Sequence, residues 1–199
     1  MNITNTNYWE MLKRMKPKYW FIDFDCTLVD SLTPVVEKMN LDHNTNLEPK
    51  DILSWNFREI KEDLSDYYIE EEIFASPYVF EKMKFYDGVE NFLKKNRENI
   101  VIITKGTPNN ISKKIDWLKE KGYGDIKIIG IPLNISKKFI NMSCKDMSGE
   151  DKDNFTVFID DSTNNLLDSN ADIKIQFNAL NNVTEWNKDW EGLVFNSWN

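Results

Sequence analysis

The sequence predicts a doubly wound, Rossmann-like α/β protein with a parallel sheet covered by helices on both faces. Five short runs rich in Ile, Val and Phe alternate with segments of helical periodicity, as expected for strands buried on both faces. Two of these runs end in paired carboxylates, Asp23 with Asp25 and Asp160 with Asp161. Because ligands bind outside the carboxyl ends of such strands, the four acids are expected to share one site.

The predicted strands span residues 19–24, 100–104, 126–131, 156–159 and 173–177. Residues 88–95 have the apolar spacing of a helix. A longer helix is expected over residues 109–121, with Ile111, Ile115 and Leu118 on its apolar face and a C-cap at Gly122.

The two ends of the chain are expected to add packing helices. Residues 8–12 form a short candidate helix that Pro17 separates from the first strand. Near the other end, Trp186, Trp190 and Leu193 follow at spacings of four and three, which predicts one apolar helix face over residues 183–194.

Residues 32–86 do not follow the strand and helix alternation. This stretch is long and rich in aromatic residues, and it carries charges at helical spacing. We interpret it as a small helical cap inserted after the first strand. Residues 1–31 and 87–199 would then form the core, and the cap would lie over the carboxyl ends of the strands.

Composition narrows the classes of function. The 199 residues carry a net charge of −8, so a surface that binds nucleic acid polymers is not expected. No apolar run reaches the ~20 residues of a membrane span, and no secretory signal is evident. With two cysteines, a disulfide framework is not expected, and we predict a cytoplasmic location. The single histidine, His43, excludes mechanisms that need two.

The acids at the strand ends predict a metal site. Buried carboxylates are costly unless a cation or hydrogen bonds compensate their charge, and oxygen-rich sites suit Mg²⁺. The predicted ligands are Asp23, Asp25, Asp160 and Asp161.

The same residues allow phosphoryl transfer. One carboxylate can attack phosphorus and a second, two residues on, can move the proton. A hydroxyl and an ammonium would hold the phosphate oxygens. Thr104 ends the second predicted strand, with Lys105 beside it as a substrate-binding candidate, and Lys137 and Lys138 follow the third strand.

Four motifs follow one another over residues 19–190: Asp23 with Asp25, then Thr104, then a lysine after the third strand, then Asp160 with Asp161. In this order they resemble the motifs of the haloacid dehalogenase-like phosphatases. The resemblance implies that Asp23 is the nucleophile and Asp25 the general acid and base. It implies that Thr104 and one lysine bind phosphate. It also implies that Asp160 and Asp161 complete the Mg²⁺ site with Asp23 and the backbone carbonyl of Asp25.

A closer similarity is to the 5'(3')-deoxyribonucleotidase branch, whose members have a small helical cap and a Trp-rich C-terminal helix. Aromatic cap residues stack on the nucleobase there, and Trp55 and Phe57 are the matching candidates, with Phe74 a further one. The implied partner is a small phosphorylated substrate, a nucleoside monophosphate. The protein itself is expected to be a monomer or a homodimer.

The match to the family pattern has one departure and one ambiguity. Cys26 stands where the family usually has Gly. A residue bulkier than Gly is expected to fit this turn only if its φ is negative. The phosphate-binding lysine has three candidates, Lys137, Lys138 and Lys145. The alternative functions are a phosphatase of phosphoglycolate or a sugar phosphate, and a non-catalytic binding protein on the same fold.

Overall fold

A computed structural model describes residues 5–144 and 154–199 of the chain. Six strands form a sheet in the order β5-β4-β1-β6-β7-β8, and every neighbouring pair is parallel. Phe21 in the middle of the sheet pairs with Val101 on one side and Phe158 on the other. The strands are β1 Tyr19–Ile22, β4 Ile100–Lys105, β5 Lys127–Ile131, β6 Thr156–Asp160, β7 Ile173–Phe177 and β8 Leu193–Phe195. The predicted fold class is confirmed.

Helices cover the sheet and bury apolar side chains against it. They are α1 Asn5–Met15, α4 Val89–Asn96, α5 Pro108–Glu120 and α6 Thr163–Asp168. Helix α1 is longer than expected, and its Trp9 packs edge-on against Trp20 of β1. Helix α4 buries Val89, Phe92 and Leu93, as its spacing predicts. The described part of the chain contains no helix with both the length and the apolar character needed to span a membrane.

The predicted C-terminal helix is wrong. Residues 183–192 form turns, and β8 follows as a sixth strand beside β7. Trp186 packs in one hydrophobic cluster and Trp190 against another, so the two rings do not share a face. The Trp190 indole N–H donates to the Leu193 carbonyl at 2.9 Å, which turns the chain into β8.

The insertion after β1 lies between two short antiparallel strands, β2 Val29–Asp30 and β3 Lys84–Phe85. It contains helix α2 Leu32–His43, a π-helix over Tyr68–Phe74 and helix α3 Pro77–Lys82. These elements bury a hydrophobic cluster of their own, which Cys26 and Trp186 join from outside the insertion. The exact division into a core and a cap at residues 32–86 stays a prediction.

Candidate active site

One pocket of about 330 Å³ opens where four strands end. We call its strand-end side the floor, formed by Asp23, Asp25, Thr104, Lys137, Asp160 and Asp161. Thr104 and Asp160 are fully buried behind the pocket surface, where they contact Lys114 and Lys137, and the other four line the pocket. Asp23 and Asp25 follow β1, Thr104 lies near the end of β4, and Asp160 and Asp161 lie at the end of β6. Lys137 comes from a 3-10 turn, Lys137–Phe139, between β5 and β6. The sheet therefore brings together groups that are far apart in sequence.

Lys137 links two of the acids. Its side chain is 1% exposed, and its ammonium donates to Asp23 Oδ1 and, at 2.6 Å, to Asp160 Oδ2. Burial alone would lower the pKa of Lys137, but the charges of Asp160 and Asp23 outweigh it and raise that pKa. The lysine is therefore held charged between two carboxylates.

The other two candidate lysines have different outcomes. Lys138 is exposed, and its ammonium lies 5.4 Å from the centre of the Phe139 ring, so it does not line the pocket. Successive residues of the tight turn point in different directions, which places only Lys137 in the floor. Lys145 lies outside the described residues. Lys105, predicted to bind substrate, does line the pocket.

Three floor carboxylates are close enough to hold one cation. Asp23, Asp160 and Asp161 each offer an oxygen within 4.8 Å of the others. Asp161 Oδ2 is buried and has no hydrogen-bond partner among the described residues. Burial raises the pKa of Asp161, and it raises that of Asp23 to about 7 against the opposing charge of Lys137. A divalent cation with oxygen ligands, such as Mg²⁺, would relieve both charges, so the residues fit a metal.

Asp25 has a separate environment. Its carboxylate accepts a hydrogen bond from the Lys114 ammonium, which also donates to Thr104 Oγ1 at 2.9 Å and to the Lys105 carbonyl at 3.1 Å. The Asp25 carboxylate is not part of the three-acid cluster. The Asp25 side chain therefore does not join the other three acids as a candidate metal ligand. Ligation by the backbone carbonyl of Asp25 stays a prediction.

Sequence reasoning missed Lys114. Helix α5 was expected to bury Ile111, Ile115 and Leu118, but Ile115 is 41% exposed and Lys114 is 2% exposed. The helix is rotated so that Asn110, Lys114, Trp117 and Leu118 face inward. One sequence signal could have indicated that Lys114 is buried. It lies one helical turn before Leu118 and therefore on the apolar stripe of the helix.

The insertion supplies the opposite side of the pocket, which we call the roof, formed by Trp55, Glu70 and Phe74. Trp55 is half-buried, and its ring centre lies 5.7 Å from that of Phe74 and 4.9 Å from that of Trp186. Phe57, the other predicted base-stacking residue, is fully buried in the insertion's hydrophobic cluster and does not line the pocket. Its ring supports Trp55 from behind, at 6.0 Å between ring centres.

Polar contacts hold the roof against the floor on two sides. On one side, Asn110 Nδ2 donates to the Phe74 carbonyl at 2.9 Å, and Asn109 Nδ2 donates to Glu71 Oε2 at 2.8 Å. On the other, the Glu185 backbone N–H donates to the Leu53 carbonyl at 2.8 Å. These contacts fix the height of the roof above the strand ends.

The solved structures that match this chain include proteins described as hydrolases and phosphatases. A candidate phosphatase from Clostridium difficile has a TM-score of 0.56 and 15% identity, over 91% of this chain and 95% of its own. A magnesium-bound candidate HAD-hydrolase from Bacillus subtilis has a TM-score of 0.54 and 14% identity, over 92% and 95%. A candidate phosphoglycolate phosphatase from Lactobacillus delbrueckii subsp. bulgaricus has a TM-score of 0.51 and 16% identity, over 82% and 87%. The fold is that of the haloacid dehalogenase-like hydrolases.

Sequence comparison alone does not reach this result, since no family model and no curated protein matches the chain. The haloacid dehalogenase-like fold also puts the Cys26 departure in context. Cys26 has a φ of +53°, so the turn keeps the left-handed conformation that favours Gly, contrary to the expected negative φ. Its Sγ lies 3.7 Å from Ser31 Oγ in the buried interior. Such a residue costs on the order of 1 kcal/mol, which the surrounding packing offsets.

Proposed function

We propose that this protein is a Mg²⁺-dependent phosphomonoesterase that hydrolyses nucleoside monophosphates through an aspartyl-phosphate. One observation carries the proposal. Two carboxylates two residues apart, Asp23 and Asp25, face one pocket, and each has its own buried lysine partner, Lys137 and Lys114. The two acids therefore have different surroundings, which suits one to attack and the other to move protons.

In the first step a carboxylate oxygen of Asp23 forms a bond to phosphorus, and the bond from phosphorus to the ester oxygen breaks. Asp25, in its protonated form, gives its proton to the departing oxygen. Lys137 holds Asp23 by a charge-assisted hydrogen bond, which fixes the direction of its attacking oxygen.

In the second step a water oxygen bonds to phosphorus, and the bond from phosphorus to the Asp23 oxygen breaks. Asp25, now ionised, takes a proton from that water, so both residues return to their starting states. Lys114 stays within hydrogen-bond distance of Asp25 and Thr104 Oγ1. It can therefore hold the Asp25 carboxylate in place through both transfers.

Asp23, Asp160 and Asp161 would hold Mg²⁺, with the backbone carbonyl of Asp25 as a further ligand. When bound, the ion neutralises negative charge on the phosphoryl oxygens and between the carboxylates. Lys105 and Lys137 line the pocket and would hold the phosphate oxygens by charge, and Thr104 lies beside them.

The roof supports a nucleotide as the substrate. Trp55 and Phe74 bring two aromatic rings to the same pocket as the acids, and a nucleobase can stack on such rings for about 1–3 kcal/mol each. On this basis we propose that its activity is of the 5'(3')-deoxyribonucleotidase type. Phosphoglycolate and sugar phosphates are the alternatives, and they offer no aromatic ring for the roof to stack on.

The test is phosphate release from a panel of monophosphates, with Mg²⁺ and with EDTA. The panel holds 5'- and 3'-deoxyribonucleotides, ribonucleotides, phosphoglycolate and several sugar phosphates. We expect Mg²⁺-dependent release that is greatest with deoxyribonucleotides. Release only from non-nucleotides would keep the chemistry and reject the substrate. No release from any ester would reject the phosphatase and leave a binding protein.

A further inference from the structure

Glu70 is a carboxylate that the proposed chemistry does not use. It lies on the π-helix Tyr68–Phe74, is half-buried and lines the pocket on the roof side. Within residues 5–144 and 154–199, its side chain makes no hydrogen bond or ion pair. The two acids that follow it in the sequence are not left both unpaired and partly buried. Glu71 accepts a hydrogen bond from Asn109, and Glu72 is exposed to solvent.

Glu70 is partly desolvated, and no described residue donates a hydrogen bond to its carboxylate. Burial raises the pKa of its carboxyl to about 7, against the opposing charge of Lys114, so desolvation dominates at this position. A partly buried carboxylate is stable when it accepts hydrogen bonds. The described residues supply no such donor, and the open side of the carboxylate is the pocket. A ligand in the pocket can therefore supply donors in place of water.

The position of Glu70 also argues against an anionic partner. The floor already contains four carboxylates, and the cations near them are engaged with those acids or available for phosphate. A fifth carboxylate weakens the attraction for phosphate and repels any second negative charge on the substrate. It favours a leaving group that donates hydrogen bonds over one that carries a further negative charge.

The π-helix explains how Glu70 reaches the pocket. Ile69, Ile73 and Phe74 of this element are buried, and Ile69 and Ile73 pack into the insertion's cluster. The wider turn presents Glu70 and Phe74 together to the pocket. Short π-helical segments are frequent at functional sites because they re-aim side chains in this way.

We propose that Glu70 determines substrate specificity by accepting hydrogen bonds from the amino-bearing edge of a nucleobase, and that it excludes leaving groups carrying a second negative charge. This inference rests on the proposed phosphatase function and deepens it. Guanine offers two adjacent N–H donors to one carboxylate, and cytosine offers its exocyclic amine. Thymine offers one N–H between two carbonyl oxygens, which a carboxylate repels.

The experiment compares kcat/KM for dGMP, dTMP and phosphoglycolate in the wild type, Glu70→Gln and Glu72→Gln. Glu72→Gln is the matched control, with the same change of charge on the same element but outside the pocket. We expect the wild type to prefer dGMP. In Glu70→Gln, kcat/KM for dGMP should fall by about tenfold or more, and kcat/KM for dTMP and for phosphoglycolate should rise by about tenfold. The control should match the wild type.

Two results would overturn the inference. An equal loss on all three substrates would mean that Glu70 acts through Lys114 or the fold of the insertion. Unchanged ratios would mean that Glu70 does not contact the leaving group. Glu70→Lys serves as a second variant, and it should favour phosphoglycolate more strongly than Glu70→Gln does. Thermal melting of each variant verifies that it is folded.

Failure of the phosphatase proposal would be visible separately. In that case the wild type and Glu72→Gln would release no phosphate from any ester. Binding of dGMP and phosphoglycolate to the wild type and Glu70→Gln, measured by calorimetry, then tests Glu70 directly. Tighter binding of dGMP that Glu70→Gln abolishes would support the inference, and equal binding of both ligands by both proteins would reject it.

Discussion

The floor and the roof of the pocket are built on different physical principles. In the floor, buried lysines hold Asp23, Asp25 and Asp160 at the ends of neighbouring strands. In the roof, two aromatic side chains and one unpaired carboxylate come from the insertion. Under the proposed function, the floor would determine which bonds break, and the roof would determine which leaving group is bound. Floor substitutions should therefore slow all alkyl phosphate esters alike, whereas roof substitutions should change the order in which these substrates are preferred.

The largest effect is expected at Asp23, because the proposed mechanism uses this carboxylate as its nucleophile. Asp23→Asn should lower phosphate release by about 10⁴-fold or more on every substrate. Binding of a nucleotide should persist, and calorimetry with dGMP measures it. Retained turnover in Asp23→Asn would break the assignment of the floor as the chemical half of the pocket.

Asp25→Asn should lower turnover by about 10²–10⁴-fold, since both steps lose their proton carrier. The size should depend on the leaving group. With p-nitrophenyl phosphate, whose leaving oxygen needs no proton, the first step should be spared and the aspartyl-phosphate should accumulate. A burst of p-nitrophenol in rapid-mixing experiments detects it. Equal loss on this ester and on a nucleotide, without a burst, would contradict the role.

Metal removal should make stability depend on pH. Burial raises the pKa of Asp23 to about 7 and also raises that of Asp161, so the folded protein retains protons that the unfolded chain loses. In EDTA the free energy of unfolding should therefore fall as pH rises from about 4 to about 7, by a few kcal/mol. Added Mg²⁺ should flatten this slope because it favours the ionised carboxylates. Urea denaturation at several pH values measures it, and identical slopes would argue against a metal in the floor.

Lys114→Met should lower turnover by less than Asp25→Asn does, by about 10²-fold at most, because it misplaces the proton carrier without removing it. The loss should be larger for a nucleotide than for p-nitrophenyl phosphate. Lys119→Met, at an exposed position of the same helix, is the control. An identical loss on both esters would instead place Lys114 in phosphate binding.

Trp55→Ala should have the smallest effect on chemistry and a selective effect on binding. We expect KM for deoxyribonucleotides to rise by about tenfold, with kcat/KM for a small aliphatic phosphate ester such as glycerol 2-phosphate nearly unchanged. Tyr67→Ala removes an exposed aromatic side chain of the insertion outside the pocket and is the control. Equal losses on both substrates would show that Trp55 only holds the insertion together.

The acids and Thr104 could be predicted as a group because each follows an apolar run, and parallel strands carry their ends to one edge. Lys114 could not be found that way, because the expected apolar face of α5 pointed to the neighbouring residues. Trp186 was placed on a helix by its spacing to Trp190, although the two rings pack into separate clusters. The periodicity of a sequence shows how apolar residues are spaced along the chain. It does not show which residues they pack against in the folded protein.

The sequence by itself determined the α/β class, five of the six strands of the sheet and the acids at their ends, since these depend on local runs of apolar residues and their order. Only the tertiary structure decided which lysines are buried, which ring faces the pocket and where Glu70 lies. Those properties depend on how α5 and the π-helix rotate against other elements. Such rotation is set by packing between residues that are distant in the chain, and local sequence patterns do not record it.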